Sequence, residues 1–144
     1  MKLKRPEVFV KEDLFYYQMP VRALDMNMGN HVSNDLYMVY ITETISQFLM
    51  SHGYRLNNIQ GQCLVFKNIV LSFKREIVYP DSINIMLSVS HVSKLQLTFY
   101  AEIKNDENII CALSQIDCAF INPQIRRPVK VPDGLQFINQ AETG

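Results

Sequence analysis

The chain has 144 residues, 48% of them hydrophobic, enough for one compact domain with a substantial core over 1–144. Lys plus Arg and Asp plus Glu both number 14, so no excess charge points to a nucleic-acid or anionic-membrane partner. No apolar run approaches the ~20 residues that cross a bilayer, no signal-peptide core opens the chain, and Cys63, Cys111 and Cys118 lack zinc or paired-thiol spacing; a cytoplasmic protein without metal or cofactor is expected.

Over 14–23, Phe15, Tyr17, Met19, Val21 and Ala23 share one parity and Tyr16, Gln18, Pro20 and Arg22 the other, the alternation of a strand. Pro20 suits a sheet edge. A polar stretch containing Gly29 then predicts a turn. Beyond it Leu36, Tyr37, Tyr40, Ile41, Ile45, Phe48 and Leu49 recur at three- and four-residue spacing, predicting a helix over about 34–52. Ser33 or Asn34 is expected to cap it, Asp35 to complement its dipole, and Gly53 to end it in a left-handed conformation.

The rest reads as strand and turn. Cys63, Val65, Ile69, Leu71 and Phe73 alternate with mixed neighbours, Tyr79-Pro80-Asp81-Ser82 breaks the run, and Ile83, Ile85, Leu87 and Val89 resume it. Leu95, Leu97, Phe99, Ala101 and Ile103 form the next strand, 105–108 a hairpin turn, and 109–121 a long final strand. The tail over 126–134 carries Pro128 and Pro132 and is expected to run irregularly along the surface. One strand, one long helix and four more strands predict an α+β fold, an antiparallel sheet of about five strands wrapped around a buried helix. Apolar residues of both parities at Ile109-Ile110 and Ala119-Phe120 further predict an interface, and so at least a dimer.

The turn before the helix is where chemistry should sit. It gathers backbone N–H donors and the positive end of a helix dipole around one point, a setting for a polarised carbonyl. Asn27 can donate to such an oxygen or hold a water, but an amide has no useful basicity. The base is then Asp25, His31, Glu43 or a group from a partner subunit. Each has a plainer role as well: Asp25 as a turn carboxylate beside Arg22, His31 as a backbone hydrogen-bonder, Glu43 as a solvated or interfacial charge. Tyr37 is either core or the wall of a pocket.

This order of elements, and the segment Val21-Arg22-Ala23-Leu24-Asp25-Met26-Asn27-Met28-Gly29-Asn30-His31-Val32-Ser33-Asn34-Asp35-Leu36-Tyr37, resemble the hotdog-fold acyl-thioester hydrolases of the 4-hydroxybenzoyl-CoA thioesterase and acyl-ACP thioesterase type. The likeness covers nearly the whole chain. Val21, Arg22, Asp25, His31, Val32, Asn34, Tyr37 and Tyr40 fall on that family's motif without a gap, and Ser72 to Glu76 with Pro80-Asp81 look like its second strand and following turn. On the same register the second Asp of the motif, a catalytic carboxylate in many members, is Asn27, and the Gly before the His is Asn30. Gly29 can stand in for that Gly if the turn shifts by one residue, with Asp25 displaced to act as the carboxylate. The acyl-ACP branch places an Asn and a Glu where this chain has Gly29 and Ser72.

The resemblance implies an acyl-CoA or acyl-ACP thioester hydrolase, assembled as a homodimer or a homotetramer. Asn34 and Asp35 would polarise the thioester carbonyl through their N–H groups, Asp25, Asn27 and His31 would do the chemistry, and Gly29, Tyr37 and Ser72 would help bind substrate. Lys74-Arg75 and Arg126-Arg127 are either solvated or meet coenzyme A phosphates. The alternative is a non-hydrolytic acyl-thioester-binding or regulatory protein, because Asn27 and Ser72 stand where carboxylates are expected. Hydratase chemistry on the same fold would need a His-Phe-Pro pattern, which His31-Val32-Ser33 does not match.

Overall fold

The computed structural model describes residues 2–139. Strand β1 (Lys11–Pro20) leads through a short 3-10 turn (Ala23–Asp25) to helix α1 (Leu36–Ser51), and five strands follow: β2 (Cys63–Phe73), β3 (Ser82–Val92), β4 (Gln96–Lys104), β5 (Ile110–Asn122) and β6 (Arg127–Val129). The sheet is antiparallel with order β1-β3-β4-β5-β2, and β6 pairs with the end of β5. This is the expected α+β arrangement, with one short strand more. The tail expected to be irregular supplies β6 and ends in a 3-10 segment (Asp133–Asn139).

One face of the sheet packs on α1. Tyr37, Tyr40, Ile41, Ile45, Phe48 and Leu49 are buried against Ile83, Ile85, Leu87, Phe99, Ala101 and Phe120 in a single core, which is how a helix with this apolar stripe removes it from water. Gly53 takes φ +82 at the helix end, as its position required.

Three local expectations are corrected. The first strand begins at Lys11 and ends at Pro20, because Asp25 folds back on Arg22 and turns the chain before Ala23 can extend it. The helix starts at Leu36 with Asp35 at the cap, and no side chain caps it; the Ser33 hydroxyl donates to the Asp35 carboxylate instead. In β2 the pairing with β5 slips between Phe66 and Asn68. That bulge reverses the facing: Leu64 and Phe66 share the inner face with Leu71 and Phe73, while Cys63 and Val65 turn outward.

The outer face of the sheet is crossed by residues 2–10. Leu3 packs with Phe9 on Tyr100, Leu113 and Val70, the Leu3 N–H donates to Ser72 Oγ at 3.0 Å, and Val10 N–H donates to Val89 O at 2.9 Å. Arg5 donates to Glu102 at 2.7 Å and to Glu12, and the Tyr100 hydroxyl donates to Glu102 at 3.0 Å. A buried carboxylate needs that pairing. The Glu102 hydrogen bond raises the Arg5 pKa, and burial raises that of Tyr100.

Candidate active site

The turn after β1 is held by a carboxylate. Asp25 Oδ2 accepts the Arg22 N–H at 3.0 Å, and Oδ1 accepts Arg22 Nε and Nη2 at 3.1 and 2.8 Å. Asp25 is 1% exposed. Burial alone would raise its pKa, but the Arg22 guanidinium and N–H, with the Tyr40 hydroxyl, outweigh it and hold the carboxyl below the usual range. The Tyr40 hydroxyl lies sealed against the same carboxylate without a well-formed hydrogen bond, and burial drives its own pKa up. Asp25 is therefore a saturated acceptor that resists protonation, the opposite of what a base needs. It borders a separate cavity of about 260 Å³ with Val39, Tyr40 and Glu43.

The next residues close a small loop. Met26 bridges Val32, the Asn27 N–H donates to His31 O at 3.0 Å and the Asn30 N–H to Asn27 O at 3.1 Å. Asn27 Oδ1 accepts the Gly29 N–H at 2.8 Å, so the amide is turned into its own loop. Asn30 takes φ +61, a left-handed value that Asn tolerates. In this turn Asn30, and not Gly29, takes the left-handed conformation. Gly29 packs closely on the imidazole: a Cβ on it would lie 2.9 Å from His31 Nε2, so a larger residue would displace the ring.

Three backbone bonds then aim the helix. The Val32 N–H donates to Ile77 O at 2.7 Å, Ser33 N–H to Asp25 O at 3.1 Å, and Leu36 N–H to Ser33 O at 3.0 Å. Among the described residues, the N–H groups of Asn34 and Asp35 have no acceptor. Both sit at the positive end of α1, where a developing negative charge is stabilised. A cavity of about 270 Å³ opens there, lined by His31, Val32, Asn34, Tyr37, Phe73 and the run Lys74-Arg75-Glu76. The Tyr37 ring meets Phe73 edge-on at 5.0 Å, and burial pushes its phenol up to about 12, so it stays protonated.

Of the residues read from the sequence, His31, Asn34 and Tyr37 line one cavity, Asp35 adjoins it, and Gly29 and Asn27 lie behind the imidazole. Asp25 is outside it, and so is Ser72, whose hydroxyl accepts Leu3 on the opposite face of the sheet. Glu76 was not singled out, yet its Oε1 lies 3.7 Å from His31 Nε2. The available signal was a charged Lys-Arg-Glu run at the exit of a strand. A larger cavity of about 610 Å³, lined by Gln60, Gln62, Lys94 and Lys130 among others, lies past the C-terminal end of α1. It offers Lys94, Lys130 and Asp133 but no histidine, and it does not open on the N-terminus of α1, so the smaller cavity is the chemically equipped one. Among the described residues, no group of three or more His, Cys, Asp or Glu side chains is placed to hold a metal ion, and no helix is long and apolar enough to cross a membrane.

Comparison with known proteins bears on the fold. The fold matches the PA2801 protein of Pseudomonas aeruginosa at a TM-score of 0.81 and 20% identity, over 86% of this chain and 96% of that one. It matches Slr0204, a 1,4-dihydroxy-2-naphthoyl-CoA thioesterase from Synechocystis, at 0.78 and 19%, over 87% and 94%. The SAV2348 protein of Staphylococcus aureus, solved in complex with CoA, matches at 0.79 and 15%, over 98% and 92%. A search of curated proteins gives no match. At these identities the likeness establishes the fold, and the family rests on the sequence model that matches residues 21–137, the segment from the Arg22–Asp25 turn to the last 3-10 segment: the chain belongs to the thioesterase-like superfamily.

Proposed function

We propose that the protein hydrolyses acyl thioesters of coenzyme A, or of an acyl carrier protein, in the cavity at the N-terminus of α1. The observation that carries this reading is the pair of unpartnered N–H groups of Asn34 and Asp35 at the start of α1, where Asn34 lines one cavity with His31. The carbonyl oxygen sits on those donors, which strengthen their hold as charge builds in the transition state. His31 is the base for the attacking water, and Asp25 holds the turn that carries it. Lys74 and Arg75, on the rim, suit the phosphates of a coenzyme A carrier. Matches to a CoA thioesterase and to a protein solved with CoA support that carrier over the protein-bound one. Three free thiols fit a reducing compartment, and we place the protein in the cytoplasm.

Thiol release from short-, medium- and long-chain acyl-CoAs tests the reading. Turnover by the wild type, lost in His31→Ala, is expected; no release from any acyl-CoA or acyl-ACP overturns it. One observation favours a second reading, a binding protein: Asn27 replaces a carboxylate with an amide that its own loop occupies. Tight acyl-CoA binding without turnover, and hydrolysis appearing in Asn27→Asp, is the outcome that reading requires.

We also propose a homodimer paired through β2. This strand lies at the sheet edge, runs eleven residues without a proline, and leaves Ile69 and Phe73 41% and 45% exposed. Such an edge invites a second strand, and Phe73 reaches from it into the candidate site. The opposite edge, β1, is blunted by Pro20. Sedimentation equilibrium is expected to give twice the 16.7 kDa chain mass; a monomer at micromolar concentration overturns this pairing, and a fourfold mass shows dimers associating further.

A further inference from the structure

We propose that Glu76 is the carboxylate of the hydrolytic site, holding the attacking water from the loop that leaves β2 while His31 deprotonates it. The inference rests on the thioesterase reading above and supplies the group that Asn27 cannot. Its starting point is how firmly that loop is held. The N–H groups of Lys74 and Arg75 both donate to Cys111 O, at 2.8 and 3.1 Å, and Ile77 O accepts the Val32 N–H at 2.7 Å. Glu76 therefore leaves a backbone fixed on both sides, while its own side chain is 70% exposed and free to adjust.

The imidazole is oriented as well. His31 Nδ1 lies 3.3 Å from Val32 O, and a carbonyl can only accept, so this contact keeps the ring proton on Nδ1 and leaves the lone pair on Nε2. Nε2 then faces Glu76 Oε1 at 3.7 Å, beyond direct hydrogen-bond range. Two acceptors that face one another at this separation are reconciled by a donor of two protons, and water is that donor. A water bridging them turns its lone pair into the cavity, toward a carbonyl carbon whose oxygen rests on Asn34 and Asp35. Gly29, packed behind the ring, leaves the imidazole in this position, since a Cβ there would lie 2.9 Å from Nε2. Among the described residues the other candidates are engaged elsewhere: Asp25 is buried under Arg22, the Asp35 carboxylate is held by Ser33, and Glu43 accepts from Gln47 and lines the separate cavity.

The step balances. The water oxygen bonds to the carbonyl carbon, one water proton passes to His31 Nε2, and the carbonyl π pair moves to the oxygen held by the N–H groups. The Glu76 carboxylate stabilises the resulting imidazolium. When the intermediate collapses the C–S bond breaks, the sulfur leaves with the electron pair and takes the proton from His31, and a carboxylic acid is released.

The test compares wild type, Glu76→Gln and Glu76→Asp in thiol release from the acyl-CoA panel, with melting temperatures alongside. Because Glu76 is exposed, both variants are expected to melt with the wild type. Glu76→Gln is expected to lose about 100-fold in kcat, the scale of a general-base contribution, with KM within threefold, and Glu76→Asp to recover at least tenfold of that loss. A loss below tenfold, a change carried by KM, or an Asp variant no faster than Gln overturns the role of Glu76 and leaves the thioesterase reading standing. No turnover by the wild type overturns both.

Discussion

Phe48→Ala lowers the free energy of unfolding by about 3–5 kcal/mol, the range for deleting a buried phenyl ring that its surroundings cannot replace. Phe48 is 1% exposed and meets four rings, Phe15 at 5.8 Å, Phe99 at 6.2 Å, Phe137 at 6.4 Å and His52 at 5.1 Å. These come from β1, β4, the last 3-10 segment and the end of α1 itself. The ring thus joins the first and last parts of the chain through the helix, and no single neighbour can move in to fill the space. Thermal unfolding should fall by roughly 10 °C in a domain of this size. Val39→Ala, on the same helix but 52% exposed, should stay within about 0.5 kcal/mol of wild type. Equal losses in the two variants would mean that the ring cluster contributes nothing beyond helix propensity.

Asp25→Asn costs about 1–3 kcal/mol at neutral pH, the scale of removing a charged acceptor from donors that remain. The pH dependence identifies the cause. The folded-state pKa of Asp25 is depressed, chiefly because Arg22 donates to both oxygens against the opposing effect of burial. Its stabilising contribution is therefore fully present above the unfolded-state value of about 3.9 and is lost as pH falls through the lower folded-state value. Denaturant unfolding of wild type and variant should differ by a constant amount from neutral pH down to about pH 5 and converge in stronger acid. A difference that persists unchanged to about pH 2 would assign the effect to shape and not to charge.

The architecture was legible because its signals are periodic. Seven apolar residues from Leu36 to Leu49 spaced for a helix, and odd-numbered apolar runs through 83–89 and 97–103, are enough to place a helix against an antiparallel sheet. The errors fall where a single side chain redirects the backbone. Arg22 and Asp25 end β1 early, and Asp35 takes the Ser33 hydroxyl that would have capped α1. In β2 the slip between Phe66 and Asn68 exchanges faces, so a parity count begun at Cys63 fails by Phe73.

The candidate site divides along the same line. His31, Asn34 and Tyr37 follow one another into the first turn of α1, and sequence proximity alone brings them together. Ser72 failed because the residue that reaches the cavity is its neighbour, Phe73. Glu76 was hidden because it lies 45 positions beyond His31 in numbering and approaches it only through the Val32 to Ile77 backbone bond. Tertiary pairing of that kind leaves no local pattern.

The segment over 2–10 that crosses the outer face of the sheet has a consequence for the order of assembly. Its partners are remote: Leu3 binds Ser72 across 69 positions, and Arg5 binds Glu102 across 97. During synthesis residues 2–10 emerge before β2 and β4, so their partners do not yet exist. They must wait, unpaired, until most of the domain has left the ribosome, and their contacts close long loops. Residues 2–10 are thus a late fastening, laid over a sheet that has already formed beneath them.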